Sequence, residues 1–192
     1  TQSEKLKLKS STSIQLKEFF KSKYYPTISI GLEHKKINFT QLVADKTYGD
    51  GDQMQGEYSN SYSAELIYPL KNLQFEFGLR KTTNQKFDNQ NTHRFGITYK
   101  NKNKKIFFNH STAFKNPTFT ERYGYYAGTF KGNSNLKPES VRQYEIGYSI
   151  NTTEEKINIS QTFYNAKLKN EINGLANHPE GGYTAKNMVS NS

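Results

Sequence analysis

Leu73-Gln74-Phe75-Glu76-Phe77-Gly78-Leu79-Arg80 is apolar at every odd position and polar or glycine at every even one. Successive side chains of an extended strand point to opposite faces, so this octapeptide makes one greasy face and one wet face. The same two-residue period returns in Ile28/Ile30/Leu32, Phe95/Ile97/Tyr99, Tyr144/Ile146/Tyr148/Ile150 and Ile157/Ile159, and no stretch sustains a 3.6-residue period for long. The reading is all-β, with about eight antiparallel strands meandering through one sheet.

The connections say what kind of sheet. Short turns fall at Pro69 to Asn72, Asn101 to Lys104 and Asn151 to Glu155, each rich in Pro, Asn, Lys or Thr. Long loops are expected over 41–57, 83–92, 115–139 and 168–182, so short and long connections alternate. Short periplasmic turns and long extracellular loops are the pattern of an antiparallel transmembrane β-barrel, of which this chain would be a portion. Tyr24, Tyr25, Tyr62, Tyr68, Tyr99, Tyr144, Tyr148 and Tyr164 are placed for aromatic girdles, and Lys100, Lys102, Lys104 and Lys105 for snorkelling to headgroups. A soluble β-sandwich binding module is the rival architecture. It would have to press its apolar faces together, and it has little reason to keep its long loops at one end.

Composition agrees with a barrel. Only 33% of the 192 residues are hydrophobic, too few for an ordinary core, yet 14 Tyr and 13 Phe exclude the aromatic-poor disordered class. Strands that need apolar residues on the lipid side alone resolve that conflict. The net charge of +10 first suggests nucleic acid. No zinc-finger, helix-turn-helix or RNP-type motif accompanies it, so no nucleic-acid partner is expected, and outer-membrane lipid and lipopolysaccharide explain a basic exterior as well. Cysteine is absent, which removes disulfides and thiolate chemistry. No apolar run approaches the roughly 18 residues of a membrane-spanning helix.

Ser111-Thr112-Ala113-Phe114-Lys115-Asn116-Pro117-Thr118 is followed by Glu121 and Tyr123-Gly124, and then by Gly132-Asn133-Ser134-Asn135-Leu136-Lys137-Pro138-Glu139. This pair of boxes resembles a hallmark of TonB-dependent receptors, in which a "GFK-x-P" box ends one strand and an "NPNL-x-PE" box begins the next. A Tyr-Glu-x-Gly strand (Tyr144, Glu145, Gly147) follows, and Ser134 departs from the family's usual proline. Within the boxes, Phe114, Lys115, Asn116, Pro117, Asn133, Asn135, Leu136, Pro138 and Glu139 are the motif residues. Pro117 and Pro138 lack a ladder donor and mark where a strand leaves or enters the sheet, and the asparagines shape loop ends. They frame the loop more readily than they touch ligand. The resemblance implies that residues 1–192 are part of the barrel domain of a bacterial outer-membrane transporter of about 22 strands, with plug domain, signal peptide and C-terminal strands absent. It implies active import of cobalamin or a ferric siderophore, with TonB acting through the missing plug. A non-TonB barrel, porin or adhesin, is the alternative within the membrane class.

Between the boxes, Phe119, Arg122, Tyr123, Tyr125, Tyr126 and Phe130 suit a bulky ligand by stacking, with Arg122 suited to an anionic group. The equally available reading is that they pack against neighbouring loops. Haem-importing relatives typically place a histidine between these boxes, and this chain has none there. Its four histidines are His34, His93, His110 and His178, without metal-binding spacing. Asp45, Asp50 and Asp52 form an oxygen-rich loop that is a candidate for Ca²⁺ but lacks EF-hand spacing, so a solvated acidic loop is the better reading. No nucleophile elbow or acid-base pair stands out, so neither catalytic residues nor a cofactor are expected, and the chain reads as a non-enzyme. The sequons at Asn109 and Asn158 lie inside predicted strands.

Overall fold

A computed structural model describes residues 1–17, 24–44, 51–151, 157–177 and 182–188. Eight long strands form one antiparallel sheet: β1 (Gln2–Gln15), β2 (Thr27–Gln41), β3 (Gln53–Leu70), β4 (Leu73–Asn84), β5 (Gln90–Asn101), β6 (Lys104–Lys115), β9 (Glu139–Asn151) and β10 (Asn158–Lys169). They follow one another in space in that order, a meander without crossovers. Between β6 and β9 the chain inserts a short helix, α1 (Phe119–Tyr123), and two strand pieces, β7 (Tyr125–Tyr126) and β8 (Phe130–Lys131). With β11 (Gly174–Asn177) and β12 (Tyr183–Lys186) these pieces form a second, four-stranded sheet in the order β11-β12-β8-β7.

One row of paired residues crosses the whole large sheet: Ile14, Ile28, Leu66, Phe77, Phe95, His110, Tyr144, Asn165. Ile14 is next to the last residue of β1, beside the turn end, whereas Asn165 is the eighth residue of β10, well toward the loop end. Within each hairpin the paired residues keep the same distance from the turn, and each hairpin has therefore slid relative to the one before it in one direction. That cumulative stagger tilts strands against a barrel axis and lets a sheet curl toward closure, although these eight strands alone do not close.

Burial is inverted relative to a soluble protein. In β4, Leu79 of the apolar face is 67% exposed, while Thr82 of the polar face is 5% exposed and its neighbour Ser61 in β3 only 4%. The apolar row in β9 is just as open, with Ile146 at 55%. The polar side chains line the concave side, where they pair with one another. Glu33 meets Lys7 at 3.2 Å and Arg80 at 3.1 Å, and Arg80 also donates to Ser61 at 2.9 Å. Arg94 of β5 binds Glu76 of β4 and reaches past β4 to Glu65 of β3. Gly78 makes that reach possible, since a Cβ there would come 2.9 Å from Arg94 Cγ. A greasy outer face and a self-paired polar inner face are what a barrel wall needs, because lipid covers the first and hydrogen bonds satisfy the second. Among the described residues nothing packs across the apolar face, which disposes of the sandwich.

The tight turns carry the expected chemistry. Lys71 and Lys102 take left-handed φ values of 53° and 43°, each followed by an asparagine. Asn72 Nδ2 donates to the Lys100 carbonyl and Asn103 Nδ2 to the Asn151 carbonyl, both at 2.7 Å, so each turn is tied to the next hairpin.

Three sequence expectations change. The 83–92 loop is only residues 85–89, and the 41–57 loop only 42–52, because polar stretches such as Lys81-Thr82-Thr83-Asn84 and Gln53-Met54-Gln55 stay in the ladder. Beyond the apolar band both faces are wet, and alternation no longer reports the strand. β1 is a further strand that the sequence marks only weakly, with alternation in Leu6 and Leu8 but serines after them. Tyr164 pairs with Glu145 and so sits on the inner face, whereas Tyr62, Tyr68, Tyr99, Tyr144 and Tyr148 face outward as girdle residues.

Candidate functional site

The loop end of the sheet is covered by one knitted cap. Lys115 ends β6 and Glu139 begins β9; they lie opposite each other, and Lys115 Nζ sits 2.9 Å from Glu139 Oε2. The other Glu139 oxygen accepts the Ile172 N–H at 2.6 Å. The two motif boxes are thereby clasped together and tied to the segment after β10. Outward-facing Arg142, paired with Lys167, marks the upper limit of the apolar band, and both clasp residues lie beyond it. Partial burial pushes the Glu139 carboxyl up, but the Ile172 N–H and Lys115 outweigh it and hold it below the usual carboxylate range. The hydrogen bond to Glu139 raises the Lys115 ammonium above its ordinary value. Both groups are therefore charged at neutral pH.

The second box is built into the same frame. Asn133 donates its backbone N–H to the Glu121 carbonyl and its side-chain Nδ2 to the Ala185 carbonyl, both at 2.9 Å. Its Oδ1 accepts the Asn135 N–H at 3.0 Å, and Leu136 is buried. Pro138 offers its carbonyl to Asn170, and Asn187 brackets Lys137 on both sides of its peptide unit. Downstream of Asn116 and Pro117, Thr118 and Glu121 form a reciprocal cap: the Glu121 N–H reaches Thr118 Oγ1 at 3.2 Å and the Thr118 N–H reaches Glu121 Oε2 at 2.7 Å. The Thr-x-x-Glu spacing is the one sequence signal that could have located this helix start.

Of the six loop residues singled out as ligand-facing, the structure separates two groups. Arg122 is only 3% exposed, and it is not presented to an incoming anion. Its Nη2 lies 2.6 Å from Glu57 Oε2 of β3, and its guanidinium stacks over Phe87, Phe119 and Tyr123 at 4.8, 5.0 and 4.8 Å. Phe119 stacks on Phe39 of β2 at 5.5 Å, and the Tyr125 backbone exchanges two hydrogen bonds with the Gln41 side chain while its ring lies against Gly51. These contacts anchor the cap to β2 and β3. Tyr126 and Phe130 form the second group, a tilted ring pair 6.3 Å apart with Tyr126 48% exposed. Gln41 and Glu57, the anchors on the sheet, had no sequence signal, because nothing local marks a residue as opposite a loop 65 to 84 positions away.

Below the cap, a recess of about 760 Å³ opens on the polar inner face, lined by Glu33, Ser61, Arg80, Thr82, Phe114 and Lys115 among others. Asp45 and Asp50 of the candidate Ca²⁺ loop lie outside the described residues; Asp52 Oδ1 accepts the Val43 N–H at 2.8 Å. Among the described residues no group of three or more His, Cys, Asp or Glu is arranged to hold a metal ion.

Gly132 packs where a side chain has no room, since a Cβ there would sit 2.4 Å from both Arg122 C and Tyr123 N. Backbone cannot rotate away, so Gly132→Ala should loosen the cap by about 1–3 kcal/mol. Amide exchange of Gly132 and Asn133, whose N–H groups bond Gly124 and Glu121, should speed up accordingly while the barrel amides stay protected.

A staggered sheet with an apolar outside, a polar inside and a folded cap at one end defines a receptor-type outer-membrane barrel wall. The chain belongs to the TonB-dependent receptor-like β-barrel family, whose model matches residues 7–191. It resides in the bacterial outer membrane. It is similar to the vitamin B12 transporter BtuB of Photobacterium profundum, 31% identical over 126 residues, which is 64% of this chain and 20% of that protein. Among solved structures it is similar to a mutant of the ferric enterobactin receptor PfeA of Pseudomonas aeruginosa in complex with enterobactin, with a TM-score of 0.79, 15% identity and coverage of 97% of this chain and 32% of that one. It is also similar to the siderophore receptor PirA of Pseudomonas aeruginosa, with a TM-score of 0.75, 16% identity and coverage of 97% and 35%. At such identities the structural likeness shows the fold. The chain spans between a fifth and about a third of the length of these relatives.

Proposed function

We propose that this chain is one sector of the wall of an active transporter that captures a large nutrient chelate at its extracellular mouth, cobalamin in the first instance and a ferric siderophore in the second. The observation that carries the reading is the ring pair Tyr126 and Phe130, presented on a cap whose other aromatics are committed to anchoring it. The exposed Tyr126 ring and the half-buried Phe130 ring beside it, on a preordered loop, offer an apolar contact with little entropy left to lose. The sequence relative, a vitamin B12 transporter, favours cobalamin. Import would draw on TonB energy delivered through a plug that other parts of the receptor supply, and the polar inner face around Arg80 and Arg94 is the surface such a plug would meet. Lipid and lipopolysaccharide would surround the outer face. The protein acts as a carrier and not as an enzyme, and the inner-face carboxylates support this, since Glu33, Glu65 and Glu76 are each neutralised by Lys or Arg.

The test uses the full-length receptor in a strain lacking it. Cobalamin-dependent growth and labelled-cobalamin binding should be restored by the wild type, and Tyr126→Ala with Phe130→Ala should weaken binding about tenfold or more. Growth restored only on a ferric siderophore would transfer the assignment to the second ligand. Unchanged binding of both ligands by the double variant would remove the rings from the site.

A further inference from the structure

His93 and His110 lie 17 residues apart in sequence without a metal signature, but the register of β5 and β6 sets their rings side by side, tilted by 55°, on the outer wall. We propose that these two histidines form a binding site for a borderline-soft divalent transition-metal ion, Cu²⁺ in preference to Ni²⁺ or Zn²⁺, at the upper margin of the barrel's apolar band.

The geometry is that of a two-nitrogen chelate. The two Nε2 atoms are 3.2 Å apart and the ring centres 5.2 Å apart. Two imidazoles on one ion at the usual metal–nitrogen length of about 2.0–2.1 Å place their nitrogens from about 2.8–3.0 Å apart in a cis tetragonal arrangement, the copper preference, to about 3.3–3.4 Å in a tetrahedral one, with ring centres about 4.5–5.3 Å apart, and these ranges bracket the spacing here. A straight hydrogen bond between the same nitrogens at 3.2 Å would push the ring centres to about 5.5 Å. The 5.2 Å found here falls short of that, so the two rings are bent out of line with each other, as two ligands of one ion are.

The surroundings orient both ligands. His110 Nδ1 lies 3.1 Å from the Gln143 carbonyl, an acceptor only, so Nδ1 carries the hydrogen and the Nε2 lone pair faces His93. Donation of the far ring N–H to a backbone carbonyl is the outer contact that metal-bound histidines habitually make. Tyr144 stacks on the His110 ring at 4.4 Å and 21°, which fixes its plane. His93 is held by its backbone N–H to Thr112 Oγ1 at 3.0 Å, and the same hydroxyl lies 3.5 Å from His93 Nδ1. Without metal, His93 supplies an Nε2 hydrogen to His110. On binding, that hydrogen moves to Nδ1, where Thr112 accepts it, and both Nε2 lone pairs then meet the ion with no net change in ring charge.

Ion choice follows from the ligands. Imidazole suits copper, nickel and zinc, and Cu²⁺ heads the affinity order. Arg142, opposite Thr112 on the same face, opposes any cation, so selection rests on coordination strength and not on charge. Water completes the coordination sphere. The bound ion would pin β5 to β6 just below the level of the outer headgroups.

The test is Cu²⁺ titration of the full-length receptor in detergent, read by electron paramagnetic resonance and by the thermal unfolding midpoint. The wild type should show a spectrum with two coordinated nitrogens and a raised midpoint. His93→Gln and His110→Phe, the latter keeping the stack on Tyr144, should each weaken Cu²⁺ binding roughly tenfold or more and abolish the two-nitrogen signal. Heat-modifiable electrophoretic mobility confirms that each variant is folded, and His110→Gln replaces either one that is not. An absent two-nitrogen signal in the wild type, or its persistence in both folded variants, overturns the site.

Discussion

Arg122→Ala in the full-length receptor is expected to release the cap from the barrel and to weaken ligand binding by at least two orders of magnitude. The substitution does more than remove a side chain. It strands the Glu57 carboxylate, which is 9% exposed and has Arg122 as its ion-pair partner at 2.6 Å. Breaking a buried pair by removing one member costs about 3–5 kcal/mol, because the survivor's desolvation is no longer offset. Three rings also lose the guanidinium they surround, so Phe87 of the 85–89 connection parts from Phe119 and Tyr123 of the insertion. The Tyr126–Phe130 pair then loses its fixed position, and binding must supply the ordering free energy. Exchange of amides 119–133 should rise sharply, with β4 to β6 amides unaffected. Adding Glu57→Ala to Arg122→Ala should recover part of the loss, since two apolar truncations leave no orphaned charge; a double variant as impaired as the single one would mean that the rings, and not the ion pair, hold the cap.

This separation of anchoring from presenting residues was only half legible in sequence. The aromatic richness of the insertion was visible, and so was the choice between stacking on ligand and packing on neighbouring loops. The decision depended on Phe39, Gln41 and Glu57, which stand on β2 and β3 and meet the insertion only because the sheet curls. Within the membrane band the sequence was transparent, because lipid on one side and polar contacts on the other enforce a strict period of two. Above the band that constraint vanishes. Residues 83–84 and 53–57 look like loop and are strand, and β11 and β12 pair with the insertion through contacts no local pattern announces. The histidine pair was hidden for the same reason: a cross-strand diagonal has no fixed sequence spacing.

The inverted burial itself is open to a depth test along β9. Ile146→Arg should destabilise the receptor in lipid vesicles by about 2–4 kcal/mol, the cost of an arginine facing the middle of the bilayer. Ile150→Arg, on the same face but one residue from the strand's turn end, should cost no more than about 1 kcal/mol, because there the side chain reaches headgroups and water. Gln143→Arg points to the inner face, where Glu145 already accepts a hydrogen bond from that position, and should be tolerated. A gradient of this kind distinguishes lipid from a protein core. If the outer face were covered by a second sheet, Ile146 and Ile150 would both be buried, an arginine at either would be comparably costly, and Ile146→Ala would open a cavity worth about 2–5 kcal/mol. Against lipid, acyl chains fill the space and Ile146→Ala should cost far less. Denaturant midpoints of the folded receptor in vesicles, compared across the three arginine variants and the alanine, read the gradient directly. Equal losses at positions 146 and 150 would refute the membrane-facing assignment of β9.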